Sequence, residues 1–363
     1  DLPTDRVSYQ RVLEYKTGAL RRAADIFFSS GDPGRMDEFH HFCDTTPWLH
    51  DFALFMALKE RHKGAGWCDW PGGLAARDPE AVEKASRELG AEIGEQKYRQ
   101  WQFFRQWRAI RGYAHDSGVA IFGDIPIFVA YDSADVWANP RLFLLDGKGR
   151  PTVVAGVPPD YFSRTGQLWG NPLYDWEEMM RQGYSWWIER VRSALSLYDL
   201  VRLDHFRGFR ACWQVPAGEK TAINGRWVDG PGEALFDALA DAFGSLPMVA
   251  EDLGVITPDV ELLRERLSFP GMKILQFAFD SGPGNPYLPH NHERNAVVYT
   301  GTHDNDTTVG WFSSLSASDR KKVLRYLGSS GEDIVLDLVR TALASVADTA
   351  IVPLQDVLGL GTE

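Results

Sequence analysis

Apolar residues recur along this chain with two different spacings, and the spacing changes near Gly118. Before that glycine, apolar side chains recur at three- and four-residue spacing, which predicts amphipathic helices over residues 14–28, 48–62 and 78–118. In the last of these helices Tyr98, Trp101 and Phe104 share one face, and Gly118 is a suitable helix stop. We therefore expect residues 1–115 to form a mainly helical subdomain.

After Gly118, short apolar runs rich in β-branched and aromatic residues alternate with helical patterns. The first run, residues 119–129, predicts a strand, and an irregular stretch rich in Pro and Gly follows from 131 to about 175. Further strands are predicted over residues 199–206, 247–254, 272–280, 296–306 and 350–356. Further helices are predicted over residues 175–198, 232–244, 257–267, 316–328 and 332–347. This alternation predicts parallel strands joined by right-handed crossovers.

Each of the six predicted strands ends on an acid or carries one: Asp124, Asp204, Glu251, Asp280, Asp304 and Asp356. In a (β/α)8 barrel the active site is built at the carboxyl ends of the strands, where such acids gather. A doubly wound sheet would instead show a Gly-rich phosphate turn after its first strand, which this sequence lacks. We therefore expect an α/β fold of the TIM (β/α)8-barrel type. Residues 116–363 would form the barrel portion, with an irregular insertion at about 131–180.

Composition and charge narrow the class of partner. The 38 Lys and Arg residues face 50 Asp and Glu residues, and the formal net charge of -12 argues against a nucleic acid. Hydrophobic content of 44% and charged content of 24% are typical of a soluble globular protein. No signal peptide or membrane-spanning run is visible, and three scattered cysteines indicate a reducing compartment. The expectation is a cytoplasmic protein without a membrane partner, whose charge is compatible with a neutral ligand.

Aromatic residues make up 12% of the chain and include 13 Trp. Core packing explains most of them, but residues 67–73 and 166–176 mix aromatic rings with Gly, Pro, Asn or Asp. Such a mixture is typical of an exposed rigid platform rather than of a core.

Three of the strand-end acids form a candidate catalytic set: Asp204, Glu251 and Asp304. Any one of them alone would most simply be a helix cap or a turn residue. As a set, each follows a predicted strand, which places all three at the same rim. Carboxyl groups packed together raise one another's pKa values unless cations compensate, and Arg202, Arg207 and His303 could compensate. One acid could then stay protonated while another stays ionised, which is the division of labour that glycoside cleavage needs.

The pair His303–Asp304 has a rival interpretation as metal ligands, because a His–Asp pair also occurs in metal-dependent phosphohydrolases. Those ligands usually lie on helices with further histidines nearby, whereas this pair directly follows a predicted strand. We therefore favour a site without a metal or a cofactor.

Several long segments closely resemble one enzyme family. They include "VRLDHFRGFRACWQVPAGEK", "VAEDLGVITPDV", "PGMKILQFAFD" and "VVYTGTHDNDTTVGW", and also "FGDIPIFVAYDSADVWANP" and "GVPPDYFSRTGQLWGNPLYDW". These segments resemble, in the same order, the amylomaltases, the bacterial 4-α-glucanotransferases of glycoside hydrolase family 77. The resemblance runs from about residue 3 to the last residue.

The resemblance implies a role for each acid of the set. Asp204 matches the nucleophile that forms a glucosyl-enzyme, Glu251 the general acid/base, and Asp304 the acid that holds the distorted sugar in the transition state. Arg202 would fix and polarise the nucleophile, and His303 would bind sugar hydroxyls beside it.

The resemblance also implies an outer ring of binding residues. Asp124 matches the acid that ends the third barrel strand, and His205 and Asp280 are expected to line the site. A mobile loop that overhangs the acceptor side matches Tyr161, Trp169, Gly170 and Asn171. We further expect Arg207, with Arg202, to keep Asp204 ionised, and Gly208 to let the chain turn away after the strand.

The chain departs from the family pattern at both ends. The two strand units that begin the family have no counterpart here, nor does the segment that follows the last strand, so the six predicted strands would be the third to the eighth. The expected activity is a retaining 4-α-glucanotransferase that uses malto-oligosaccharides, amylose or glycogen-derived glucans. Two alternatives remain open: a hydrolase of the α-amylase clan, or a non-catalytic glucan-binding fragment.

Overall fold

The structure is a computed structural model that describes residue 3 and residues 6–160 and 163–362. Its helices are α1 (Tyr9–Ser30), α2 (Pro33–Thr45), α3 (Leu49–Arg61), α4 (Pro79–Glu88), α5 (Gly90–Asp116), α6 (Ala134–Ala138), α7 (Trp176–Arg181), α8 (Ser185–Leu197), α9 (Glu233–Phe243), α10 (Pro258–Arg266), α11 (Thr308–Ser314), α12 (Ala317–Leu327), α13 (Ile334–Leu343) and α14 (Leu354–Val357). Its strands are β1 (Phe122–Pro126), β2 (Val153–Val157), β3 (Gln167–Pro172), β4 (Leu200–Asp204), β5 (Ala211–Pro216), β6 (Arg226–Asp229), β7 (Met248–Ala250), β8 (Gly271–Ile274), β9 (Ala296–Tyr299) and β10 (Thr349–Ile351).

The chain divides into two compact units, and each unit is made of several segments. The first unit contains Asp1–Ile121, Phe128–Leu197 and Cys212–Val228. The second unit contains Phe122–Ile127, Tyr198–Ala211 and Asp229–Glu363. In the part of the chain that the structure describes, no helix is long and apolar enough to cross a membrane.

The first unit contains helices α1 to α8 and an antiparallel sheet in the order β3-β2-β5-β6. Two of its helices begin with an Asp cap followed by Pro: Asp32 accepts a hydrogen bond from Arg35 N, and Asp78 accepts one from Ala81 N. Apolar rings fill the space between α1, α2 and α5, and the Phe27 ring centroid lies 5.0 Å from that of Trp101. The helices predicted over residues 14–28 and 48–62 are confirmed, whereas the helix predicted over 78–118 is two helices, α4 and α5, separated at Leu89.

The second unit contains six parallel strands in two three-stranded sheets, ordered β1-β4-β7 and β8-β9-β10. A hydrogen bond of 2.9 Å from Ala250 N to Pro270 O connects the end of β7 to the residue before β8. The strands are apolar because they are covered on both faces, and Val249, Ile274 and Val297 are almost fully buried. The predicted parallel pairing is confirmed, and it brings the carboxyl ends of β1, β4 and β7 together.

Several sequence-based expectations about elements after Gly118 are wrong. Residues 131–175 are not irregular throughout, since they contain α6, β2 and β3, whose paired strands carry Gly and Pro that we took as loop signals. The helix predicted over 175–198 is two helices, because Gly183 and Tyr184 adopt positive φ values of 62° and 54°. The strand predicted over 272–280 ends at Ile274, and a 3-10 turn follows.

Candidate active site

Asp204 is the last residue of β4, and Arg202 lies on the same face of that strand two residues earlier. In the parallel register Asp124 of β1 stands opposite Arg202. The guanidinium of Arg202 donates from Nε and Nη2 to the two oxygens of Asp124, at 2.9 and 2.7 Å. It also donates from Nη2 to Asp204 Oδ1 at 3.1 Å. Arg202 is only 7% exposed, so one buried cation holds both carboxylates in place.

The chain turns sharply after β4 at His205, which has a left-handed φ of 52°. This turn points the His205 N–H at Glu251 Oε2, 2.8 Å away. Burial and the charge of Arg207 lower the pKa of His205 to about 4, so its imidazole is neutral near pH 7. We had expected the turn at Gly208, but it lies at His205. Gly208 serves close packing instead, since a Cβ there would lie 2.7 Å from Ile127 Cδ1.

Glu251 directly follows β7, and main-chain hydrogen bonds fix it beside the end of β4. Its N–H donates to Leu203 O at 3.0 Å, and its carbonyl accepts from Phe206 N at 3.0 Å. Its carboxyl group accepts from the N–H groups of His205 and Leu253, at 2.8 and 3.1 Å. Burial and the charge of Asp204 raise the pKa of Glu251 to about 7, against the lowering effect of these two hydrogen bonds.

The electrostatic environment of Asp204 differs from that of Glu251. Burial raises the pKa of Asp204, the positive charge of Arg202 lowers it, and Asp124 and Asp304 raise it further. Arg202 contacts the Asp204 carboxylate directly, whereas the Glu251 carboxyl group accepts from two main-chain N–H groups, so the negative charge is favoured on Asp204. Our expectation that Arg207 helps to ionise Asp204 is wrong, because its guanidinium donates to Val255 O and its charge acts on His205.

The segment after β9 carries His303 and Asp304. His303 Nε2 lies 3.6 Å from Asp304 Oδ2, and both side chains are largely exposed. The charge of Asp304 raises the pKa of Asp204, and the charge of His303 lowers the pKa of Asp204. A cavity of about 470 Å³ is lined by His303 together with Asp124 and Arg202. The predicted gathering of strand-end acids at one rim is therefore observed for β1, β4, β7 and β9.

Two tyrosines near these acids were not identified from the sequence. Tyr299, the last residue of β9, lines the same cavity, and burial raises its pKa to about 12. Its position at the end of an apolar strand was the available signal. Tyr287 lies in an irregular segment that gave no signal, and its pKa is raised by burial and by the charges of Asp252, Glu251 and Asp280. Asp280 itself is exposed, and its Oδ1 accepts from Asn285 Nδ2 at 2.9 Å.

The residues expected on an acceptor loop lie in the first unit. Trp169, Gly170 and Asn171 belong to strand β3, which pairs with β2, rather than to a loop. Trp169 is 38% exposed, and its ring centroid lies 6.4 Å from that of Phe128. Asn171 Nδ2 donates to Val129 O at 2.9 Å. Tyr161 lies outside the described residues.

The site has the chemistry of acid-assisted nucleophilic substitution. Among residues 6–160 and 163–362, no group of three or more His, Cys, Asp or Glu side chains could hold a metal ion. The arrangement instead offers an ionised carboxylate held by Arg202 and a carboxyl group, Glu251, that titrates near neutral pH. A pair of acids tuned in this way can attack a carbon centre and protonate its leaving group.

Comparison with known proteins agrees with this chemistry. The family model described as glycoside hydrolase family 77, 4-alpha-glucanotransferase, matches residues 1–363. The chain is 53% identical to a 4-alpha-glucanotransferase of Synechocystis sp., with 99% of this chain and 72% of that protein aligned. It is 50% identical to a 4-alpha-glucanotransferase of Thermus thermophilus, with 99% and 74% aligned.

A solved structure resembles the fold as well. The amylomaltase from Streptococcus agalactiae in complex with acarbose superposes with a TM-score of 0.94 at 36% identity, covering 98% of this chain and 72% of that one. The mixed α/β fold of this chain is thus that of an amylomaltase. Family model, relatives and fold agree over nearly the whole chain, and the chain belongs to glycoside hydrolase family 77, the 4-alpha-glucanotransferases.

Proposed function

We propose that this chain transfers glucanosyl units between α-1,4-glucans, taking malto-oligosaccharides, amylose or glycogen-derived chains as donors and the 4-hydroxyl of another glucan or glucose as acceptor. The observation that carries this proposal is the pair Asp204 and Glu251. The first is held by Arg202 at 3.1 Å, and the second has a pKa raised to about 7. A retaining transfer needs one carboxylate that attacks and one carboxyl group that is protonated near neutral pH.

The reaction proceeds by two displacements at the anomeric carbon. In the first, Asp204 Oδ attacks that carbon while the Glu251 proton passes to the glycosidic oxygen, so the C–O bond breaks and the acceptor-side glucan leaves. In the second, ionised Glu251 takes the proton from the 4-hydroxyl of an incoming glucan, whose oxygen displaces Asp204. The proton and the carboxylate are both restored, and the configuration is retained.

The remaining candidate residues surround this pair with defined tasks. Arg202 polarises and orients Asp204, and Asp124 orients Arg202 through its two hydrogen bonds. Asp304 binds hydroxyls of the distorted sugar, a task to which its negative charge near Asp204 is suited. His303 would bind sugar hydroxyls beside Asp204, and His205 and Asp280 would line the site.

Trp169, Gly170 and Asn171, with Tyr161, would form the acceptor side and favour a sugar over water. The exposed ring of Trp169 supports this assignment, because a flat apolar surface stacks well on a pyranose.

The proposed architecture is that of a (β/α)8 barrel in which the six parallel strands of the second unit are the third to the eighth. Residues 1–115 would be a helical subdomain, and residues of about 131–180 would be an insertion into the barrel portion, 116–363. We also propose a cytoplasmic location, which the free cysteines Cys43, Cys68 and Cys212 suit.

Product analysis on maltotriose tests the proposed activity. We expect glucose and oligomers longer than maltotriose to form together, with no net gain of reducing ends, and Asp204→Asn to abolish both products. A gain of reducing ends in step with bond cleavage would identify a hydrolase of the α-amylase clan. Binding of maltotriose without any product would identify a non-catalytic glucan-binding protein.

A further inference from the structure

Asp356, which we predicted at the end of a strand, lies in a helix instead, and the proposed reaction does not use it. It lies in α14, just after β10, and is 1% exposed. Its Oδ1 accepts from Thr308 N at 2.7 Å. Its Oδ2 accepts from Thr300 Oγ1 at 2.6 Å and from Thr308 Oγ1 at 2.8 Å. Two oxygens thus accept three hydrogen bonds from two threonines that are themselves fully buried.

These two threonines bracket the segment that carries two candidate site residues. Thr300 directly follows β9, and Thr308 is the first residue of α11. The seven residues between them, which we call the β9–α11 loop (residues 301–307), include His303 and Asp304. Both ends of this loop are therefore tied to one carboxyl group.

Further hydrogen bonds fix the backbone of the β9–α11 loop. The buried side chain of Gln276 donates from Nε2 to Asp306 O at 2.9 Å. Asn305 Oδ1 accepts from both Thr302 N and Thr302 Oγ1, at 2.8 and 2.9 Å. The backbone is held from two sides, while the side chain of His303, at the tip of the loop, stays largely exposed.

The burial of Asp356 is costly for stability and needs a reason. Among the described residues, no ion pair includes Asp356, so hydrogen bonds alone offset its removal from water. An apolar side chain of similar volume would fill the same space without that cost. It could not, however, tie a strand end to a helix start at two fixed points.

We propose that Asp356 is a positioning residue, which holds the β9–α11 loop through Thr300 and Thr308 so that His303 and Asp304 face the reacting sugar. This inference rests on the proposed function, because it concerns the acid that supports the transition state. Asp356 acts through its two threonines and touches no reacting atom.

The test uses Thr300→Val and Thr308→Val in the full chain. Because Asp356→Leu would test folding as much as positioning, these variants remove one hydroxyl each and keep the side-chain shape. Thr341→Val is the matched control, since Thr341 Oγ1 donates to Asp337 O within its own helix, α13. With maltotriose we expect kcat to fall about 10-fold in Thr300→Val and in Thr308→Val while KM changes little, because His303 and Asp304 would be misplaced. The control should retain the parent kcat.

The pH profile adds a signature that a purely structural role would not produce. The charge of Asp304 raises the pKa of Asp204, so an Asp304 that moves away lets that pKa fall. The acid limb of kcat/KM should therefore move to lower pH in Thr300→Val and Thr308→Val and stay in place in Thr341→Val. If kcat and the acid limb of kcat/KM are both unchanged in Thr300→Val and Thr308→Val, the inference is overturned.

Hydrogen exchange separates this inference from the proposed function. The amides of residues 301–307 should exchange faster in Thr300→Val and Thr308→Val than in the parent, whereas the exchange rates in the core strand β4 should not increase. If the parent transfers no glucan, the proposed function fails, and the exchange result still decides whether Asp356 holds the loop. Unchanged exchange in this loop would show that the hydrogen bonds from Thr300 and Thr308 to Asp356 do not fix it.

Discussion

Replacing Glu251 with Gln should make the protein less active, and its stability relative to the parent should be higher at alkaline than at acid pH. Gln keeps the size and shape of Glu but carries no proton that can reach a leaving oxygen. We expect turnover of maltotriose to fall by about two to four orders of magnitude, the usual range for a positioned acid/base. The change in relative stability follows from the same burial that raises the pKa of the carboxyl group.

The pKa of Glu251 rises from 4.5 to about 7 on folding, mainly because the carboxyl group is buried and secondly because Asp204 is near. A raised pKa means that the folded state binds the proton more tightly. The resulting stabilisation is fully present below pH 4.5 and is lost as the pH rises through about 7. Each pKa unit corresponds to about 1.4 kcal/mol, so the total change is about 3 kcal/mol. Of this, about 2 kcal/mol falls between pH 5.5 and pH 8.5.

Urea unfolding of the parent and of Glu251→Gln at pH 5.5 and pH 8.5 measures this change. Gln can accept from only one of the two N–H groups that contact Glu251, which destabilises the variant by an amount independent of pH. The difference in free energy of unfolding between the two proteins should therefore shift by about 2 kcal/mol in favour of the variant at pH 8.5. Glu261→Gln, an exposed change on α10, is the control and should show no such shift. A difference that stays constant between the two pH values would refute the burial argument.

Four further predictions follow from the same geometry. Parent kcat/KM should fall as the pH rises through about 7, because Glu251 must be protonated for the first displacement; a flat profile to pH 9 would contradict this. A fluorinated glucosyl donor should label Asp204, seen by mass spectrometry of the "LDHFR" peptide, and Asp204→Asn should abolish the label; label on Glu251 would reverse the two roles. Trp169→Ala should raise the ratio of hydrolysis to transfer, since a stacked acceptor is lost; an unchanged ratio with lower thermal stability would assign the ring to packing. Gly123→Ala should lower the free energy of unfolding by about 1–3 kcal/mol, because its Cβ would lie 2.1 Å from the Tyr198 ring; a neutral result would mean that the ring yields freely.

The parts of the site that follow strand ends could be predicted from the sequence. An apolar run that stops at an acid indicates where a parallel strand reaches the rim, and this placed Asp204 and Glu251 correctly beside each other. The pairing of Arg202 with Asp124 could not be predicted, because it depends on the register between β1 and β4. The apolar pattern of a strand indicates which side chains are buried, but these strands are buried on both faces, so their pattern does not say which residue of β4 meets Asp124.

The structure of segments rich in Gly and Pro, or without periodicity, could not be predicted from the sequence for a different reason. Gly and Pro mark turns, but in β2 and β3 they lie inside paired strands, so residues 131–175 looked less ordered than they are. Tyr287 lies in a segment without periodicity, and only the fold brings it near Glu251. The charge on Arg207 suggested a partner for Asp204, whereas the backbone turn at His205 sends that side chain towards Val255.

The turn at His205 explains why the nucleophile and the acid form one unit rather than two independent residues. A left-handed φ is uncommon for a residue other than Gly, and the conformation costs about 1 kcal/mol or more. In return, the N–H of the residue after Asp204 points directly at the Glu251 carboxyl group. That hydrogen bond favours the ionised form of Glu251, while burial and the charge of Asp204 favour the protonated form. Because the opposing effects come from residues on one turn, any movement of Asp204 changes the proton affinity of its partner.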